Sequence, residues 1–168
     1  MKKWTLNQIV TSALLIAIHV VLSRFCSINA WNIKIGFAFV PVFVAAYLYG
    51  PLTAGIVGAA GDFLGAVLFP IGPYFPGFTV TCFLSGMLFG VLLHKKQGVA
   101  RILCATGINQ MVLGLIVNSF WISVLYSSPY GPLVLTRVVQ SLIMIPVEFL
   151  GIGFMTKVLS RYRREAMV

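Results

Sequence analysis

Long apolar stretches, each broken by a few polar, glycine or proline residues, organise this chain. A helix needs about 20 apolar residues to cross a bilayer. The pattern predicts six crossings, over residues 4–23, 35–49, 52–68, 78–93, 102–125 and 133–159. The second is short for a full span, and the pattern lets it begin a turn earlier, near Trp31. The breaks are turn-formers. Tyr49-Gly50-Pro51 reads as a tight turn. Phe69-Pro70-Ile71-Gly72-Pro73-Tyr74-Phe75-Pro76-Gly77 is too rich in proline to continue a helix. Lys95-Lys96-Gln97-Gly98 is a polar turn, and Ser127-Ser128-Pro129-Tyr130-Gly131-Pro132 links the last two crossings. The expected fold is an all-α integral membrane protein: one six-transmembrane-helix bundle spanning residues 1–168.

Composition sharpens that expectation. The chain is 60% hydrophobic and 9% charged, with mean hydropathy +1.00; a soluble domain of this size is not so apolar. Twelve Lys and Arg against three Asp and Glu leave a net charge of +9. In a soluble protein that balance suggests nucleic acid. Here the basic residues are short juxtamembrane groups, so they report orientation and no nucleic-acid partner is expected. Nine of the twelve fall at Lys2 and Lys3, at Lys95, Lys96 and Arg101, and at Lys157, Arg161, Arg163 and Arg164. With these inside, both termini are expected to be cytoplasmic and the chain to be a multi-pass protein of a plasma membrane. The first apolar run ends at Arg24 without a small-residue cleavage site, so it is expected to stay as a helix. Cys26, Cys82 and Cys104 form no CxxC, and His19 and His94 lie far apart, so no disulfide, metal centre or cofactor is expected. No GxxxxGK[ST] occurs, so the chain is not expected to bind a nucleotide through a phosphate loop. No inverted repeat is visible, and the chain is too short for a two-halved carrier.

The remaining three basic residues, Arg24, Lys34 and Arg137, lie at or near the outer ends of apolar segments. A cation near lipid depth is costly and usually has a partner or a task. No acid lies in the predicted outer loops, so an incoming anion is a candidate partner, with arginine able to hold a carboxylate through two parallel hydrogen bonds. Asp62 and Glu148 are the acids inside predicted helices. Glu148 reads equally as the neutraliser of a bundle cation. Asp62 stands in a glycine-rich stretch that leaves space around it, where a carboxylate can accept two parallel bonds from an amino–N–H edge such as that of a pterin or a guanidine-like group. Outer-side aromatics include Trp31, Tyr74, Phe75, Phe78, Trp121, Tyr126 and Tyr130. Most fit an interfacial belt; those in or beside the proline-rich loop can stack on a flat ring. His19 reads as a packing residue, and His94 as part of the inner face. Gly61/Gly65 and Gly86/Gly90 are GxxxG pairs suited to packing among the helices, and Ala13/Ala17 form a similar small-residue stripe.

In several of these features the chain resembles the substrate-binding S components of the energy-coupling factor (ECF) vitamin transporters. Six short helices, a basic N-terminus and Ala13-Leu14-Leu15-Ile16-Ala17 carry the general likeness. Leu22-Ser23-Arg24-Phe25, Ile33-Lys34-Ile35-Gly36-Phe37, the run from Tyr49-Gly50-Pro51 to Gly61-Asp62-Phe63, and the proline-rich segment resemble the folate-specific members. The resemblance implies six helices around a pocket open to the outside, and partners in one transmembrane coupling subunit and two ATPase subunits. It implies that Ala13 and Ala17 touch the coupling subunit, and that the S component topples in the membrane to deliver its ligand. Folate has a flat pterin with an amino–amide edge, an aromatic middle and a glutamate tail. On this reading Asp62 takes the pterin edge, Arg24 and Arg137 take the tail carboxylates, Lys34 contributes at the first outer loop, and Tyr74, Phe75 and Trp121 wall the rings. The residues alone leave other readings open: an S component for another carboxylated vitamin, a membrane enzyme acting on an anionic lipid through Asp62 or Glu148, or a scaffold subunit that binds no vitamin.

Overall fold

The computed structural model describes residues 5–30 and 33–165; within that set, the side chains of 28–30, 33–35 and 162–165 lie outside the description. The elements are α1 (Leu6–Arg24), β1 (Ser27–Ala30), β2 (Ile33–Gly36), α2 (Phe39–Tyr49), α3 (Pro51–Leu68), α4 (Pro76–Leu93), α5 (Val99–Tyr126) and α6 (Tyr130–Glu165). Among the described residues there are six helices, as the hydropathy pattern predicts. All but α2 are long and apolar enough to cross a membrane. With 11 residues, α2 extends only about 16 Å and is not a full crossing.

The segment before α2 corrects the sequence expectation. Where the second crossing was allowed to reach back toward Trp31, the chain forms an antiparallel hairpin, with Ser27 opposite Gly36 and Ile28 opposite Ile35. Trp31 itself lies outside the described residues. Isoleucine favours extended backbone, and a Cβ at Gly36 would stand 2.6 Å from that of Ser27, so glycine lets the hairpin close. The fold is therefore the expected helical bundle, with one short hairpin in the segment before α2.

Between apolar helices in lipid, oil-like burial offers no driving force, and close packing must hold the bundle together. The small residues provide it. A side chain at Gly86 or Gly90 of α4 would collide with the α3 backbone at Ala54 and Pro51. On its other flank α3 meets α1, with Gly61 against the His19 ring and Gly65 against the Arg24 guanidinium. Both GxxxG pairs thus pack within the bundle. Gly50, at φ 90°, makes the α2–α3 turn at a backbone angle that L side chains resist, and Pro51 opens α3 where its missing N–H costs nothing.

Antiparallel order follows from the end contacts. At one end Gln8 donates to Thr53 (3.0 Å), and the His94 ring lies within hydrogen-bond distance of the last carbonyls of α2, Ala46 (3.0 Å) and Tyr47 (3.2 Å). Exposed Lys95, Lys96 and Arg101 flank the α4–α5 turn there. At the other end Phe25 and Phe69 meet edge to face, and the proline-rich loop touches Tyr126 through Gly72. The apolar core, including Phe43, Phe89, Leu93 and Ile152, fills the half of the bundle nearer the basic end.

Candidate functional site

The other half is hollow. A cavity of about 600 Å³ lies among α1, α3, α4, α5 and α6, within the range of ligand pockets. The proline-rich loop, from Ile71 to Phe75, lines its mouth together with Arg24. Phe39, at the start of α2, and Glu148 lie at the boundary with the apolar core. The short α2 matters here, because a full-length helix in its place would fill the space above Phe39.

One face of α6 supplies a wall. Arg137, Gln140, Met144 and Glu148 recur at helical spacing, so all four reach the cavity. Arg137 is only 5% exposed, and its Nε and Nη1 have no hydrogen-bond partner. A guanidinium withdrawn from water with donors unused is expensive, and is the arrangement expected of a receptor for an acceptor group supplied from outside. Arg24, from the last turn of α1, reaches the same cavity with its Nε likewise unpartnered. The sequence places these two arginines 113 residues apart; the fold brings both to one hollow. Lys34 belongs to β2, but its side chain lies outside the described residues.

Asp62 lines the cavity from α3, where its Oδ2 accepts from the Thr79 hydroxyl at 2.9 Å. Thr79 is in turn 3.2 Å from the Tyr74 hydroxyl. The loop is thus tied to the α3 carboxylate through two hydroxyls. Tyr74 also packs edge-on against Phe63, with centroids 5.7 Å apart. Phe75 lines the cavity and is wedged between Phe78 (6.1 Å) and Trp121 (5.6 Å). Trp121 stands behind Phe75 rather than among the lining residues, with its indole N–H donating to Thr81 at 3.1 Å.

Asn109 and Gln110 escaped the sequence reading, which singled out Glu148 but neither of these. The Glu148 carboxylate, 2% exposed, accepts from Asn109 Nδ2 (3.0 and 3.2 Å) and from Gln110 Nε2 (2.7 Å). Its hydrogen-bond partners among the described residues are therefore carboxamides, not the bundle cation that one of the two sequence readings gave it. Asn109 and Gln110 open a π-helical stretch, Asn109–Val117, inside α5. Such stretches concentrate at functional sites, and here the wider turn accompanies two adjacent side chains that both reach Glu148. The available signal was three carboxamides, Asn109, Gln110 and Asn118, in an otherwise apolar helix. His19 is buried against Gly61, as expected, and also lines the cavity. Ala13 and Ala17 lie on an exposed face of α1, beside Val10 and Leu14, each 61% exposed.

Comparison with known proteins agrees with this architecture. Residues 7–152 match the family described as the ECF transporter substrate-specific component. A folate transporter FolT of Clostridium novyi (strain NT) is 40% identical over 162 residues, covering 96% of this chain and 93% of its own length. A folate transporter FolT of Leuconostoc mesenteroides is 30% identical over 155 residues, covering 88% and 83%. Among solved structures, a crystal structure of FolT bound with folic acid superimposes with TM-score 0.85 at 30% identity, covering 90% of this chain and 93% of the other. An S component of a bacterial ECF transporter shares the fold, with TM-score 0.60 at 24% identity.

Proposed function

Because this chain belongs to the substrate-specific S components of ECF transporters, we propose that it captures folate in its cavity and hands it inward when partner ATPases act on the assembled transporter. Membership makes the chain a binding component of a transport system rather than a lipid-modifying enzyme. Its relatives named for folate transport support the choice of vitamin.

The observation that carries the proposal is Arg137: buried, with two idle donors, in a hollow walled by aromatic rings. Arg137 and Arg24 hold the carboxylates of the glutamate tail, with Lys34 contributing from the hairpin. Asp62 accepts from the amino–N–H edge of the pterin, exchanging its bond from Thr79 for bonds from the ligand. Tyr74 and Phe75 wall the rings, and Trp121 braces Phe75. The chain's termini face the cytoplasm, and Ala13 and Ala17 meet the transmembrane coupling subunit, which carries the two ATPase subunits.

Tryptophan-fluorescence titration of the purified chain against a vitamin panel tests this. Folate binds one to one without ATP, and Arg24→Ala weakens it by about 30-fold to several thousand-fold, the range for removing one member of a desolvated charge contact. No saturable response to folate overturns the assignment of ligand. Unchanged affinity in the variant removes Arg24 from the site.

A further inference from the structure

We infer that Glu148, held by Asn109 and Gln110 on the inner boundary of the cavity, is a second carboxylate reader of the ligand's flat head and sets selectivity for its amino group. The inference rests on the folate reading above. It starts from a count of donors. The amino–amide edge of a pterin carries three N–H hydrogens, two on the amino group and one on the ring. One carboxylate takes two of them in a parallel pair, which leaves the third pointing elsewhere. In a cavity closed to water an unmatched donor loses most of what binding gains.

The structure offers an acceptor for it. Glu148 lines the cavity, and its partners among the described residues are the neutral carboxamides of Asn109 and Gln110. All three of its hydrogen-bonding contacts come from neutral amides: Oε1 accepts from both Asn109 and Gln110, whereas Oε2 has a single contact of 3.2 Å. A carboxylate has about four lone-pair directions, so Oε2 retains capacity. Beside it the Asn109 Oδ1 is buried and unpartnered. The two carboxamides donate to Glu148, and therefore fix it as an acceptor rather than competing with the ligand. Two side chains from one π-helical stretch orient this single carboxylate, a constraint that packing alone does not require.

The other cavity acid has a different setting. Asp62 is half-buried near the loop and already engaged by Thr79. Glu148 borders the apolar core, where Met144 and Phe39 adjoin it. Glu148 thus lies deeper in the cavity than Arg24, which lines the mouth.

Fragment competition against bound folate tests the inference. Two probes divide the ligand: pterin-6-carboxylate for the head and p-aminobenzoylglutamate for the tail. Glu148→Gln is expected to weaken the pterin fragment by about tenfold to a hundredfold, the scale of a hydrogen bond to a charged group, and to leave the tail fragment within about twofold. Lumazine-6-carboxylate, with a carbonyl in place of the amino group, is expected to lose less or to gain, because the glutamine amide can donate to it. Equal loss of both fragments, or a pterin affinity unchanged in Glu148→Gln but lost in Asp62→Asn, overturns the role of Glu148. Failure of wild-type protein to bind folate instead overturns the ligand assignment. A folate-bound structure of the unaltered chain decides the matter should the variants not fold: the amino nitrogen within 3.5 Å of Glu148 supports the inference, and a head seated away from it refutes it.

Discussion

At the level of single residues, the informative quantity is an unmet hydrogen bond. Arg137 is buried with Nε and Nη1 idle. Removing a lone buried charge in favour of an apolar side chain of similar length is often neutral or stabilising. Arg137→Met should therefore lower folate affinity by about 30-fold to several thousand-fold while leaving the thermal midpoint of the ligand-free protein unchanged or raised. A lowered midpoint in the absence of ligand would show instead that Arg137 supports the bundle. The sequence marks Arg137 as unusual because of its position in an apolar helix. It does not reveal that the side chain turns inward, which depends on the rotation of α6 set by its neighbours. Glu148 shows the same limit: its partners are 38 and 39 residues away, and no local pattern links them.

At the level of helices, close approach depends on missing Cβ atoms. Gly86→Ala would press a methyl group into the α3 backbone at Ala54. Neither backbone can move aside cheaply, so the variant should lose about 1–3 kcal/mol of stability, measured as a lower unfolding midpoint in detergent. Gly107 has nothing within 4 Å of an added Cβ. Gly107→Ala should therefore stabilise α5 by about 0.5–1 kcal/mol. Equal effects from the two substitutions would mean that α3 and α4 do not touch as described. Helix ends were largely legible, because Gly50, Pro51 and Pro76 punctuate the chain. The hairpin was not. Its isoleucines read as apolar residues of a crossing, and only pairing across Ser27–Gly36 distinguishes a strand there. The π-helical stretch was equally hidden, since hydropathy does not register a change from i−4 to i−5 bonding.

Across the whole molecule, direction in the membrane and the partner face can be tested together. Cys26 is exposed just beyond the C-terminal end of α1, Cys82 lines the cavity, and Cys104 lies on the exposed face of α5 near the basic end. An impermeant maleimide applied to intact cells should label Cys26, should label Cys82 only without folate, and should leave Cys104 unmodified. Labelling of Cys104 but not Cys26 would reverse the orientation. Ala13→Trp, on the exposed face of α1, should bind folate like the unaltered chain yet fail to co-purify with the coupling subunit. Retained co-purification would move the interface elsewhere on the bundle.

Membrane residence, the number of helices, the punctuation between them and the short list of unusual charges were all readable along the chain. Each follows from local physics: a bilayer demands apolar length, proline and glycine break helices, and charge at lipid depth is costly. The site is a different kind of object. Arg24, Asp62, Arg137 and Glu148 come from α1, α3 and α6, and they share a cavity because α2 is short and glycines let α3 approach α1 and α4. Whether a charged side chain faces lipid or a cavity is settled by helix rotation and packing, a property of the assembled bundle rather than of any one segment.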